Sequence, residues 1–407
     1  MTIDEARELD AADPLAFARD RFSMPEGIIY LDGNSLGALP AAAPQALSAT
    51  AERQWGEDLI ASWNKHGWID WPTQIAAKLA PILGAKRSEV LIADSTSVCL
   101  FKLLAAAAQA RPKRRTILTQ KGNFPTDLYA AEGVAGMLGL KVKSVERPEV
   151  IGAIDEDTAV LTLTHVDYRS GAFYDMRAIN DAARSAGALV VWDLSHSAGA
   201  IELGLNDAGS SLAVGCGYKY LNGGPGAPAF IYVAECLQNE LRSPLQGWMG
   251  HAEPFSFVDD YAPAEGILKF LTGTPSILAL AALDAGLATF DGIAMRDLAA
   301  KSQSLSSLFI KEVEARCSSE VRLASPRDPR ERGSHVVFSH AQGYAVMQAL
   351  IGRGVIGDFR APDLMRFGFA PLYNKHADVV RAAEILAQIL STREWDRPRF
   401  KARAKVT

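Results

Sequence analysis

Cysteine is scarce in this 407-residue chain: Cys99, Cys216, Cys236 and Cys317 lie far apart, with no C-x-x-C pair. Four scattered thiols neither staple a chain this long nor make a spaced zinc set, so a reducing compartment is expected. Long hydrophobic runs are missing as well. No stretch reaches about 18 uninterrupted apolar residues, and Met1 to Arg21 mix acids and bases without an apolar core of signal-peptide type. The expectation is a soluble cytoplasmic protein with no membrane partner. Charge of one sign is not in excess: 42 Lys and Arg against 47 Asp and Glu leave −5, with no basic block to attract nucleic acid. Gly and Pro, at 33 and 20, are at ordinary usage, which argues against low-complexity or collagen-like segments. What is plentiful is apolar residues, 48% of the chain, enough for a large core.

From about Gln54 to Leu205, Ala-rich helical stretches such as Val98 to Ala110 and Met176 to Ala186 alternate with short β-rich runs. The runs begin at Glu89, Thr116, Ala159 and Ala188. Their apolar character is continuous rather than alternating, which predicts strands covered on both faces: a mostly parallel sheet sandwiched by helices, an α/β fold. Two further strands, Ala213 to Gly217 and Ala229 to Val233, flank a glycine-rich turn. Pro244 to Pro275 lacks periodicity and reads as a long irregular segment of the kind that often carries function. One long helix is expected over roughly Ser276 to Ala315, then a charged linker, Pro326 to Gly333. A smaller C-terminal α/β unit follows: a strand at His335 to Phe338, helices Gly343 to Arg353 and Lys375 to Leu390, and strands near Ile356 and Met365. No internal repeat is present.

The richest stretch runs from Val190 to Phe230. A buried strand ends in Trp192-Asp193, followed by Leu-Ser-His196, and a second ends before Gly217-Tyr218-Lys219-Tyr220-Leu-Asn-Gly-Gly-Pro-Gly. In parallel sheets ligands sit at the carboxyl ends of strands, where Asp193 falls. Singly, such an aspartate is as readily a helix cap and such a lysine a solvated loop residue. Together they suit pyridoxal phosphate, whose aldehyde needs an amine and whose pyridinium nitrogen needs a carboxylate. Asp94-Ser95-Thr96-Ser97, after a strand and opening a helix, adds hydroxyls and free N–H groups suited to a phosphate, though serine and threonine are also ordinary caps.

Six motifs in order resemble the kynureninase family, nearly end to end: Tyr30-Leu-Asp-Gly-Asn-Ser-Leu-Gly, Asn123-Phe-Pro-Thr-Asp127, Trp192-Asp-Leu-Ser-His-Ser-Ala-Gly, Tyr218-Lys-Tyr-Leu-Asn-Gly-Gly-Pro-Gly, Gly247-Trp-Met-Gly-His251 and Arg366-Phe-Gly-Phe-Ala-Pro-Leu-Tyr. The resemblance implies a homodimeric fold type I pyridoxal-phosphate enzyme that hydrolyses L-kynurenine or 3-hydroxykynurenine to anthranilate, or its hydroxy analogue, and L-alanine, cleaving Cβ–Cγ from a ketimine. It implies a large domain over 50–284 and a small domain made of 1–49 and 285–407.

By the same match Lys219 holds the cofactor as a Schiff base, Asp193 holds the ring nitrogen with His196 beside it, and Phe124 stacks on the ring. Pro125, Thr126 and Asp127 belong to the same cofactor-binding motif. Ser95, Thr96, Tyr218 and Trp248 surround the phosphate, and Ser170 and Thr274 make further cofactor contacts. Tyr218 is also a candidate proton donor or relay. The segments bearing Trp248 and Thr274 are expected from the neighbouring subunit. Arg366, set between apolar residues, matches the substrate-carboxylate residue, and its planar fork suits that task. Trp63 is a candidate wall for the substrate ring, with core packing nearly as good a reading. Two positions depart from the family pattern: Met249 where phenylalanine is usual, and Ser95 where threonine is common.

Three rivals weigh less. A desulfurase-like lyase or aminotransferase shares the fold, but a desulfurase needs a cysteine on a mobile loop, and all four cysteines fall in expected helices or strands. A metal hydrolase built on Asp193, His196 and His165 lacks a ligand motif such as H-E-x-x-H. A silent cofactor-binding regulator is disfavoured by the presence of Lys219 and Arg366 and by the lack of length for a DNA-binding unit.

Overall fold

The computed structural model describes residues 1–403. Seven strands form the central sheet: β1 (Val90–Ala93), β2 (Thr116–Gln120), β3 (Lys141–Val145), β4 (Thr158–Thr164), β5 (Leu189–Asp193), β6 (Leu212–Cys216) and β7 (Ala229–Val233). Their spatial order is β1-β7-β6-β5-β4-β2-β3, parallel except where β7 runs antiparallel to β6 and β1. Every residue of β1, β4, β5, β6 and β7 is buried, the threonines of β4 and Asp193 included, as strands covered on both faces require. Successive side chains enter opposite cores: Ile92 and Val190 pack with helix α1 (Trp71–Leu83), whereas Leu91 and Val191 pack with α2 (Thr96–Gln109) and α3 (Pro125–Leu138). Ala105 to Ala108 of α2 are all buried. Strand β3 escapes the sequence reading because it is an edge, where exposed Lys141 and Lys143 replace apolar residues and blunt further pairing.

The helix expected over Ser276 to Ala315 is two helices. After α4 (Met176–Ala186), the chain forms α5 (Ile277–Ala288) and α6 (Met295–Cys317). Between them Asp291-Gly292, with Gly292 at φ +72°, makes a turn. Arg21 fixes that turn by donating to the carbonyls of Thr289 and Asp291.

A second, antiparallel sheet of β8 (Arg322–Leu323), β9 (His335–Ser339), β10 (Asp358–Arg360) and β11 (Leu364–Gly368) has the order β10-β11-β9-β8. It packs with α6, α7 (Gly343–Gly352) and α8 (His376–Ser391) around its own core. The strand expected near Ile356 lies outside this sheet: Val355–Ile356 pairs in parallel with Ile29–Tyr30. Nor is Pro326 to Gly333 a solvated linker throughout. Arg332 is buried there, donating to the carbonyls of Pro326 and Arg327 and to the hydroxyls of Ser306 and Ser307 on α6.

The N-terminal segment joins both cores, with Leu15, Ala18 and Phe22 on the large-sheet side and Ala6 and Leu31 on the other. It ends beneath the glycine-rich turn. The Gly37 N–H donates to the Tyr218 carbonyl at 2.8 Å, and a Cβ at Gly37 would strike the Lys219 carbonyl oxygen.

Candidate active site

The carboxyl ends of β4 and β5, the turn after β6 and the first turns of α2 and α3 close on one cavity of about 240 Å³. Eight of the residues expected from the sequence line it: Thr96, Phe124, Thr126, Asp127, Asp193, His196, Tyr218 and Lys219. Ser97, Thr164 and Ser195 complete its polar wall.

Lys219 Nζ lies 3.1 Å from His196 Nε2. Burial first, then the Lys219 charge, pushes His196 well below the usual imidazole range, so the ring is neutral and accepts from the lysine. His196 Nδ1 is buried without a hydrogen-bond partner among the described residues. Asp193 Oδ1 accepts from the Ser195 N–H at 2.8 Å and the Ser195 hydroxyl at 2.6 Å. Burial raises its pKa, against the pull of Ser195 and Lys219. Asp127, inside the first turn of α3, accepts from the Thr164 hydroxyl at 3.0 Å. Burial and the charge of Asp193 push it well above the carboxylate range. Of these two carboxyls Asp127 is pushed up further, in part by the charge of Asp193, so Asp193 is the one that ionises first. The Phe124 ring centroid stands 6.0 Å from Lys219 Nζ, and its edge meets Tyr168 at 5.3 Å. The Tyr218 phenol is held protonated, chiefly by burial.

The other expected residues lie outside this cavity wall. Ser95 caps α2 through Val98 N–H at 3.5 Å, and Pro125 occupies the first turn of α3. Ser170 directs its hydroxyl and N–H to Asp167 Oδ1, both at 2.7 Å. Trp248 packs on Trp63 at 6.5 Å and Phe255 at 5.6 Å, Trp63 in turn packs on Trp68, and Trp248 lines a separate groove with His251 and Phe257. Thr274 is exposed and lines a third cavity with Asp94 and Gly226.

Arg366 is 1% exposed. Its Nε and Nη2 donate to the two oxygens of Asp358 at 2.8 and 2.5 Å, Nη1 donates to the Tyr168 carbonyl at 2.9 Å and Nη2 to Ser35 Oγ at 3.1 Å. Burial raises the Asp358 carboxyl, but hydrogen bonding and charge from Arg366, with Arg360, outweigh it and hold the group below its usual value. Asp32 behaves oppositely: burial and the charge of Asp358 push it up to about 7.

Asp358, Thr164 and His335 escaped the sequence reading. Asp358 faces Arg366 across an antiparallel pair, a register that only the fold sets. Thr164 closes a strand at the same edge as Asp193, the rule that singled out Asp193. His335 is fully buried 5.5 Å from His196, and neither ring nitrogen has a partner among the described residues. Three cysteines, Cys99, Cys216 and Cys317, have thiols pushed up, first by burial. Cys236 is exposed beyond β7, at the sheet edge opposite Asp193. None is an activated thiol at the cavity. No group of three or more His, Cys, Asp or Glu able to hold a metal occurs among the described residues.

These side chains fit pyridoxal phosphate. An amine, a buried carboxyl group and an aromatic ring share one cavity with hydroxyls at a helix N-terminus, and the orphaned His196 Nδ1 marks a polar wall built for more than packing.

The profile of the kynureninase C-terminal domain matches residues 298–386. The chain is 48% identical over 414 residues to a kynureninase of Pseudomonas fluorescens, and 47% to one of Burkholderia pseudomallei (strain K96243), each match covering 100% of both chains. Among solved structures it is similar to the cysteine desulfurase CsdA of Escherichia coli (TM-score 0.79, 19% identity, 93% of this chain and 98% of that one). It is also similar to a mutant of the cystine C-S lyase C-DES with glycine covalently linked to its PLP cofactor (TM-score 0.76, 16% identity, 90% and 98%). At those identities the solved structures establish the shared fold. Full-length identity near one half goes further: the chain belongs to the kynureninase family.

Proposed function

We propose that this protein is a pyridoxal-phosphate-dependent hydrolase that converts L-kynurenine, or its 3-hydroxy form, to anthranilate, or 3-hydroxyanthranilate, and L-alanine. The observation that carries the reading is the single cavity in which Lys219, Asp193, Phe124 and Thr96 meet, in a chain collinear with kynureninases over its whole length.

Lys219 would hold the cofactor covalently, Asp193 its ring nitrogen, Phe124 its ring face, and Thr96 with Ser97 its phosphate. The cofactor supplies an electron-withdrawing ring that stabilises negative charge on the substrate carbons next to the bonds that break. The chain's own groups do the rest. Neutral His196 accepts at Nε2 from Lys219 Nζ and orients it, so that Lys219, as a free amine, would serve as base at the substrate α-carbon. Asp127, the harder of the two to ionise, leaves Asp193 as the carboxyl that would take the negative charge at the ring nitrogen. The Tyr218 phenol holds a proton at the cavity wall as donor for the alanine product. Arg366 would bind the substrate carboxylate, its guanidinium plane fixed by Asp358 and Ser35.

Ser95, Pro125, Thr126, Ser170, Trp248 and Thr274 complete the proposed cofactor set and Trp63 the ring wall, with Trp248 and Thr274 reaching the partner's cavity in a homodimer. Support for the dimer is the placement of these last two outside their own Lys219 cavity, with Trp248 beside exposed Phe255, Phe257 and Val258. The division into a large domain, 50–284, and a small one, 1–49 with 285–407, is supported by the two separate sheets and their cores, and positions 404–407 lie outside the described residues. No helix among the described residues is long and apolar enough to cross a membrane. A cytoplasmic place is supported by four unbridged cysteines.

The test is an assay of the cofactor-supplemented protein with L-kynurenine by anthranilate fluorescence, with 3-hydroxykynurenine run alongside by chromatography. Anthranilate with equimolar alanine is expected. Turnover of neither compound, with a chromophore that responds to other amino acids, would overturn the assignment. Lys219→Ala should abolish turnover without lowering the melting temperature.

A further inference from the structure

Helix α2 carries Lys102 at 0% exposure among alanines and leucines. An ammonium so placed is tolerated only if its donors are satisfied. Lys102 Nζ donates to Asp94 Oδ2 at 2.5 Å and to the Phe270 carbonyl at 2.7 Å. Asp94 opens the turn into Ser95 and Thr96 and stands at φ +42°, a left-handed conformation unfavourable for a residue with a Cβ. Its own carbonyl accepts from the Ala229 N–H at 2.9 Å, so the strained residue is clamped at both its side chain and its backbone.

Phe270 ends the turn Gly266–Phe270, and the chain continues through Leu271 and Thr272 to Thr274. The Trp248 turn is seated on that same stretch. Met249 N–H donates to the Thr272 carbonyl at 3.2 Å, and a Cβ at Gly247 would strike the same oxygen. One buried ammonium thus ties the Ser95–Thr96 turn of the cavity to the strap that bears Trp248 and Thr274.

We propose that Lys102 is a positioning residue for the cofactor phosphate, setting the Asp94–Thr96 turn and the 247–274 strap in one register. It acts through Asp94 and Phe270 and touches no reacting atom. The inference rests on the reading of the Lys219 cavity as a pyridoxal-phosphate site.

The experiment titrates the full-length apoprotein with pyridoxal phosphate and, separately, with pyridoxal, which lacks the phosphate, following the absorbance of the bound cofactor. Lys102→Met removes the tether. Asp94→Asn with Lys102→Met removes it while leaving no unpaired carboxylate on the turn, and that double variant decides if the single one fails to fold. Both should bind pyridoxal phosphate about tenfold more weakly than the unmodified protein, with pyridoxal binding unchanged. Unchanged affinity for pyridoxal phosphate, or an equal loss for both compounds, would overturn the role of Lys102. Failure of the unmodified protein to take up either compound would instead overturn the cofactor assignment.

Discussion

Arg366, Asp358 and Asp32 share one buried cluster, yet the two carboxyls respond to it in opposite directions. Asp32 ionises near pH 4 in the unfolded chain and at about 7 in the fold, so the native state binds the extra proton between those values. Its contribution to stability is therefore present below about pH 4 and is lost as pH rises through 7. Asp32→Asn should flatten that fall and exceed the parent protein in stability at pH 8 by about 2 kcal/mol, read as the difference between urea midpoints measured from pH 4 to 8. Arg366→Ala should raise KM for kynurenine and lower kcat/KM by about 2–4 kcal/mol of transition-state binding, and Arg366→Lys, which keeps the charge but not the fork, should recover little of it. An unchanged KM would exclude a carboxylate contact. Residues of the Asp193 and Lys219 motifs were legible in the sequence because each motif is a contiguous turn at a strand end. The Arg366 cluster was legible only in the arginine itself, since Ser35 lies 331 positions away and Asp358 is brought opposite by strand register.

At the level of elements, helices and central strands announced themselves by largely apolar runs, whereas the lysine-bearing edge β3 and the two-residue strand Ile29–Tyr30 carried no such pattern. The split between α5 and α6 was signalled by Asp291-Gly292, a turn pair that the surrounding helical periodicity masked. Backbone contacts were invisible to pattern altogether. Gly37 is the plainest instance, supporting the turn of Tyr218 and Lys219 from an element far away in sequence. Gly37→Ala should push that turn outward, destabilising the protein by about 1–3 kcal/mol and lowering kcat more than it raises KM. Thermal melts and steady-state kinetics on the same preparation check both.

For the whole molecule the decisive experiment is subunit mixing. If Trp248 and Thr274 serve the partner's cavity, Lys219→Ala and Trp248→Ala preparations, each of low activity, should regain activity when dissociated together and reassembled, to about a quarter of the parent level. No gain on mixing would place each complete site within one chain. Size-exclusion chromatography with light scattering should give twice the 43.7 kDa of one chain.

The N-terminal segment has a consequence for the life of the chain in the cell. Asp10 accepts from the backbone N–H of His376 and Ala377, Leu31 N–H donates to the Ile356 carbonyl, and the Tyr30 carbonyl accepts from Asn374. These residues are made well before their partners, which lie more than 300 positions further along the chain. The central sheet has all its strands by Val233, but the support of Gly37 beneath Lys219 comes from a segment whose anchorage must wait for residues 355 and 356. A nascent chain stalled before residue 355 carries Lys219 on an unanchored turn, so competence for chemistry arrives more than 130 residues after the lysine itself.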